Sequence, residues 1–270
     1  MATTSSPTAA SVRDDLIAEQ EALDPIVADL DSAGWGASTP SERWTVADQI
    51  GHLAFFDRTA AWAITDEERF RSSMAELTSG LDPSAGVDEM DRLTLGEYRA
   101  MSPDELLEAW RANRRDLADA AAGLADDDRV VWYGPSMGAK SFLTARLMEC
   151  WAHGQHVVDA LGVERDATDR LAHIVRLGVN TRGWTYVNRG LDAPETPVRL
   201  ELDAPSGGTW TYGPDDAEQS VRGPAEDFCL VVTQCRHVDA TDLVVEGDAA
   251  RDWMSKAQAF AGAATSGPPA

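Results

Sequence analysis

The chain has 270 residues, enough for one large domain or two of ordinary size, and 43% hydrophobic with 26% charged residues fits a soluble globular protein. Forty-six acidic residues against 23 basic ones give a formal net charge of −23, a surface that repels nucleic acid and anionic membranes alike. Three cysteines without a C-x-x-C pair, and an N-terminus MATTSSPTAAS lacking a signal region, point to reduced thiols in the cytoplasm; no apolar run approaches the roughly 20 residues that span a bilayer.

Within residues 12–31, Leu16, Leu23 and Leu30 fall seven apart, and Ile26 and Val27 fill the same stripe. That spacing predicts an amphipathic helix. A second helix is expected to start at Thr45, with Asp48 three residues on as a capping-box partner. Its apolar arc is Val46, Ile50, Leu53, Phe56 and Ala60, with His52 at the edge and Asp57 inside. Residues 66–100 are polar and weakly periodic, and no element is assigned to them. A third helix follows with Ser102 as N-cap, Pro103 at N1 and Glu105 closing the box.

A fourth helix, expected to begin near Ser141, contains LMECWAHGQHVVDALG at 147–162. Another amphipathic stretch runs on from residue 168. Four or five helices joined by turns predict an antiparallel four-helix bundle, taken as residues 10–188. The character changes near residue 190. VRLELDAPSGGTWTYG alternates like two strands about a Ser-Gly-Gly turn, PAEDFCLVVTQC reads as a helix, DLVVEG as a strand and DAARDWMSKAQAF as a closing helix. Residues 196–261 are therefore expected to form a small α+β domain.

The chemistry concentrates in the fourth helix. Glu149, His153 and His156 are spaced by four and three, so they rise from one face of a helix that is otherwise largely apolar. Burying a carboxylate and imidazoles is costly unless they are paired; a metal ion and a local hydrogen-bond network are both answers. A catalytic zinc site takes about three protein ligands. Glu149 and His153 supply two, and His52 on a neighbouring helix is the natural third. Arg146, one turn before Glu149, could bind an anionic substrate or pair with Glu149. Asp57 could orient a ligand or partner a buried arginine. His173 and His237 read as structural, and Cys150 as a packed thiol. No H-E-x-x-H, Gly-rich phosphate loop or G-x-S-x-G motif competes.

RWTVADQIGHLAFFD together with ARLMECWAHGQHVVDALG resembles the DinB-like superfamily, in its mycothiol-dependent maleylpyruvate isomerase branch. The resemblance covers most of the chain. It implies a DinB-like metal-binding helix bundle followed by a small α+β domain of sterol-carrier-like shape. It also implies a divalent metal, most simply zinc, on His52, Glu149 and His153. The family tends to carry an acid where this chain has His156, which leaves that residue as a ligand, a base or a neighbour of the site. His156 and Arg146 are the candidate catalytic residues, and Arg236 the candidate cofactor-binding residue from the C-terminal domain.

The function implied is a metal-dependent isomerase or S-transferase that uses a low-molecular-weight thiol such as mycothiol on a small-molecule substrate. The alternatives are a thiol-independent metal-dependent lyase, hydrolase or cyclase, and a non-enzymatic metal-dependent binding module. No nucleic-acid or membrane partner is expected, and the protein is expected to be a monomer or homodimer.

Overall fold

The computed structural model describes residues 7–80, 87–265 and 267–269. The chain separates into two compact units, Met1–Val163 and Glu164–Ala270.

The first unit is helical. It contains α1 (Ala9–Ala28), the short α2 (Ser32–Trp35), α3 (Val46–Thr65), α4 (Glu67–Gly80), α5 (Val87–Arg99), α6 (Pro103–Ala121) and α7 (Ala139–Leu161). A two-residue ladder of β1 (Arg129–Val130) and β2 (Met137–Gly138) precedes α7. The long helices close a ring: α1 packs on α6 and α7, and α3 packs on the same two. This is the expected four-helix bundle. Its core holds Leu16, Leu23, Ile50, Leu53, Trp110, Leu117, Leu143 and Leu147, all but free of solvent contact.

Local chemistry sets the helix starts. Thr45 caps α3 and Asp48 returns the bond, and Ser102 and Glu105 do the same for α6 with Pro103 at its first turn. The helix expected from Ser141 begins two residues earlier, at Ala139, with Gly138 as its cap and no side-chain bond. Residues 66–100 supply α4 and α5, which pack on α3. At Gly51 a Cβ would meet the Cβ of Tyr98 at 3.1 Å, so this glycine lets α5 lie close against α3 beside His52.

The second unit is mixed. It contains α8 (Leu171–Asn180), α9 (Arg182–Val187), β3 (Val198–Asp203), β4 (Thr209–Tyr212), β5 (Gln219–Pro224), α10 (Ala225–Val232), β6 (Val244–Glu246) and α11 (Asp248–Met254). The sheet is open, with order β4-β3-β5-β6; β3 and β5 run parallel and the outer pairs antiparallel. The Ser-Gly-Gly turn between β3 and β4 has Gly207 and Gly208 at φ of 93° and 86°.

The division between units falls earlier than the linker expected near residue 190. The reason is α8, which packs on α10 of the sheet unit. At Gly178 a Cβ would meet Phe228 at 2.9 Å and Val232 at 3.0 Å, so the two helices touch almost backbone to side chain.

Candidate metal centre

Helices α3 and α7 bring His52, Glu149 and His153 together. One donor atom from each lies within 4.8 Å of the others, and among the described residues this is the set of histidine and acidic side chains able to hold a metal ion. Glu149 Oε2 stands 3.4 Å from His52 Nε2 and 3.2 Å from His153 Nε2. The i, i+4 spacing on α7 sets the second distance. The first depends on α3 and α7 packing against each other in the ring.

The cluster is partly buried and lined by rings. His52 and His153 lie 4.1 Å apart between centroids, and Phe56 lies 4.5 Å from His52. Trp44 stacks on His153 at 5.8 Å and approaches His52 at 5.2 Å. Asp91 of α5 accepts from the Trp44 indole N–H at 3.0 Å and so holds that ring in place. Trp132 and Tyr133, from the segment joining β1 and β2, continue the wall from Phe56.

Burial sets the charge state. Desolvation lowers the pKa of His52, against the pull of Glu149, and lowers that of His153 to about 4. For Glu149, burial alone would raise the carboxyl, but its bonds to His153 and His52 hold it well below the usual range. At neutral pH the cluster is thus two neutral imidazoles and one carboxylate. Two nitrogens and an oxygen at these separations are a donor set that suits a divalent transition metal. The residues fit the ion.

Beneath the cluster lies a buried polar group. Arg146 donates to Asp57 Oδ1 at 3.1 Å, and Gln20 donates to Asp57 Oδ2 at 2.9 Å. Arg146 therefore pairs with Asp57 of α3, and not with Glu149, although helix spacing alone favoured Glu149. His156 stands one turn beyond His153, with ring centroids 6.4 Å apart, and is not one of the three residues grouped for the ion. Arg236 belongs to the second unit, where it donates to the Cys235 carbonyl at 2.8 Å. His237 caps a short 3-10 turn by accepting from the Asp239 N–H, and Cys150 is buried.

One residue in contact with the cluster escaped the sequence. Gln49, fully buried on α3, places Oε1 2.5 Å from His153 Nδ1. It lies three residues before His52, on the same helix face, and a buried glutamine at that spacing is the available signal.

The model of the mycothiol maleylpyruvate isomerase N-terminal domain matches residues 16–157. The chain belongs to that family. Its family segment spans α1 to α7 and includes all three donors. An uncharacterized protein of Mycobacterium tuberculosis, present in two strains, is 46% identical to this family member over 248 residues, covering 92% of this chain and 94% of the relative. Two crystal structures share the fold. A histidine-to-alanine mutant of the mycothiol-dependent maleylpyruvate isomerase superposes with a TM-score of 0.58 at 19% identity, over 87% of this chain and 92% of the other. The same isomerase without that description gives 0.55 at 18%, over 88% and 92%.

Proposed function

We propose that this protein is a metal-dependent isomerase or S-transferase that uses a low-molecular-weight thiol of the mycothiol type, with zinc as the ion. The observation that carries the reading is the convergence of His52, Glu149 and His153 within 4.8 Å, in a family whose model is described by a mycothiol-dependent isomerase. Zinc held by three protein ligands supplies an open position and lowers the pKa of a thiol bound there.

The chain's own residues divide the remaining work. Glu149 is the single formal negative charge among the three donors, so the loaded site stays net positive and favours an anion. Arg146, tied to Asp57, adds a positive charge that helps keep His52 and His153 neutral. Trp44, Phe56, Trp132 and Tyr133 present an apolar wall that excludes water and suits an unsaturated carbon skeleton. His156 is assigned to proton transfer, one turn beyond the donors. Arg236 is assigned to binding an anionic group of the thiol or substrate, on its chemistry alone.

Cobalt substitution tests the reading. Mycothiol added to the cobalt protein should produce a near-ultraviolet sulfur-to-metal band, absent in His153→Ala. No band with mycothiol or other small thiols, while the cobalt stays bound, would make a thiol-independent metal enzyme the better description. Arg236→Ala should raise the KM for the anionic component and leave the metal content unchanged.

A further inference from the structure

We propose that Thr39 and Gln49 form a relay that holds the proton of ion-bound His153 on Nδ1 and so keeps its Nε2 lone pair on the ion. The inference rests on the metal reading above and extends it to residues outside the donor set.

The direction of the relay follows from which groups can only accept. Thr39 Oγ1 lies 2.9 Å from the carbonyl oxygen of Trp44 and 3.4 Å from that of Ser41. Both are pure acceptors, so the single hydroxyl proton of Thr39 is committed to them. The Thr39 oxygen must then accept from its third neighbour, Gln49 Nε2, at 2.9 Å. That fixes which end of the Gln49 amide is which, and Oε1 is the end that faces His153 Nδ1. A carbonyl oxygen cannot donate, so the proton in that bond belongs to Nδ1. Nε2, on the opposite side of the ring, lies 3.2 Å from Glu149 Oε2, so the carboxylate competes with Gln49 for the one ring proton until an ion seated between Nε2 and Oε2 takes both lone pairs and leaves the proton to Nδ1. An imidazole binds a metal through an unprotonated nitrogen, and its other N–H sets ring orientation and tautomer.

The anchor of the relay is the segment that also carries Trp44. Residues 38 and 45 form an isolated antiparallel bridge, and the Thr39 N–H donates to the Trp44 carbonyl at 2.9 Å. Arg43, just before Trp44, has a left-handed φ of 69°. This one turn therefore sets the proton position of His153 through Gln49 and the plane of its ring through the stacked indole. Gln49 is a positioning residue; it acts through His153.

Zinc affinity, measured by chelator competition on the full chain, tests the relay together with the histidine ring N–H signals of the zinc-loaded protein. Wild-type His153 should show a downfield, slowly exchanging Nδ1–H proton. Gln49→Leu should bind zinc about 10- to 100-fold more weakly and lose that signal to rapid exchange. Gln49→Glu, which still accepts from Nδ1, should restore both. Thr39→Val, which frees the amide to turn, should shift both in the direction of Gln49→Leu by less, and decides the matter should Gln49→Leu not fold. Unchanged affinity and an unchanged Nδ1–H signal in a folded Gln49→Leu or, failing that, in Thr39→Val overturn the relay alone. Zinc failing to bind the wild type overturns the metal reading instead.

Discussion

Asp57 and Arg146 meet at 3.1 Å with their side chains 2% and 4% exposed, joining the same two helices that carry the metal donors. Removing one partner of such a pair strands a buried charge, which costs about 3–5 kcal/mol. Asp57→Ala should therefore lower the unfolding free energy by about that amount in a denaturant titration. Replacing both residues, as Asp57→Leu with Arg146→Met, should recover much of the loss, since two apolar groups leave no orphaned charge.

Metal content gives the second test. The purified protein should hold close to one divalent ion per chain, and His153→Ala should lose it while keeping the far-ultraviolet helix signal. Elemental analysis beside circular dichroism checks both. Full occupancy in that variant would assign the ion to other ligands.

The third concerns pH. An imidazole must be unprotonated to bind the ion, and both histidines have pKa values depressed below 6.5, His153 to about 4. Protons therefore compete poorly across the range where an exposed histidine titrates. Zinc affinity should change little as pH falls from 8 to about 6 and drop as it approaches the depressed values. A loss centred on the ordinary histidine value would show that the two rings are hydrated and not desolvated.

A fourth test lies away from the centre. Asp24 of α1 accepts from Arg111 and from Arg114 of α6 at 2.7 Å and 2.6 Å. The Arg111 hydrogen bond leads the effects that hold its carboxyl below the usual 3.8. A depressed folded pKa means that the stabilisation is complete above about pH 4 and is lost as pH falls through the folded value. Asp24→Asn should cost about 2 kcal/mol at neutral pH, and its gap from wild type should close only under acid.

The division of the chain supplies the fifth. All three donors and Gln49 lie before residue 163. A fragment ending at Val163 should fold as a helical unit and bind zinc with near full-length affinity. Loss of the ion on truncation would mean that the second unit contributes to holding it.

The parts of the centre that were legible in sequence share one cause. Glu149 and His153 sit one turn apart on one helix, and helical spacing alone makes them neighbours. His52 needed a bundle to bring it near, and its place on an apolar arc signalled one. Gln49 and the Asp57–Arg146 pair depend on contacts between residues roughly a hundred positions apart, which no local period encodes. For Arg146 the local rule even named the wrong partner. The same limit hid α4 and α5, whose polar surfaces dilute the few buried anchors, Phe70, Leu95 and Tyr98. It also hid β5, which ends in Gly223 and Pro224 and pairs in parallel with β3, a strand not next to it in sequence. Helix α8 read as one more amphipathic helix of a bundle, because a stripe announces burial without naming the surface that covers it.

The placement of the donors on α3 and α7 also has a consequence for synthesis. Once a ribosome has delivered His52, roughly a hundred further residues must follow before Glu149 and His153 exist, on the order of 5–20 s of elongation. During that interval His52 has neither of its fellow donors, and an early ion would find only a lone imidazole. Whatever packing the helices up to α6 reach before α7 emerges is reached without the full donor set, and the ion is a clasp on an almost finished bundle. The supply of that ion then bears on how firmly the completed chain is held shut, and little on whether its first helices find one another.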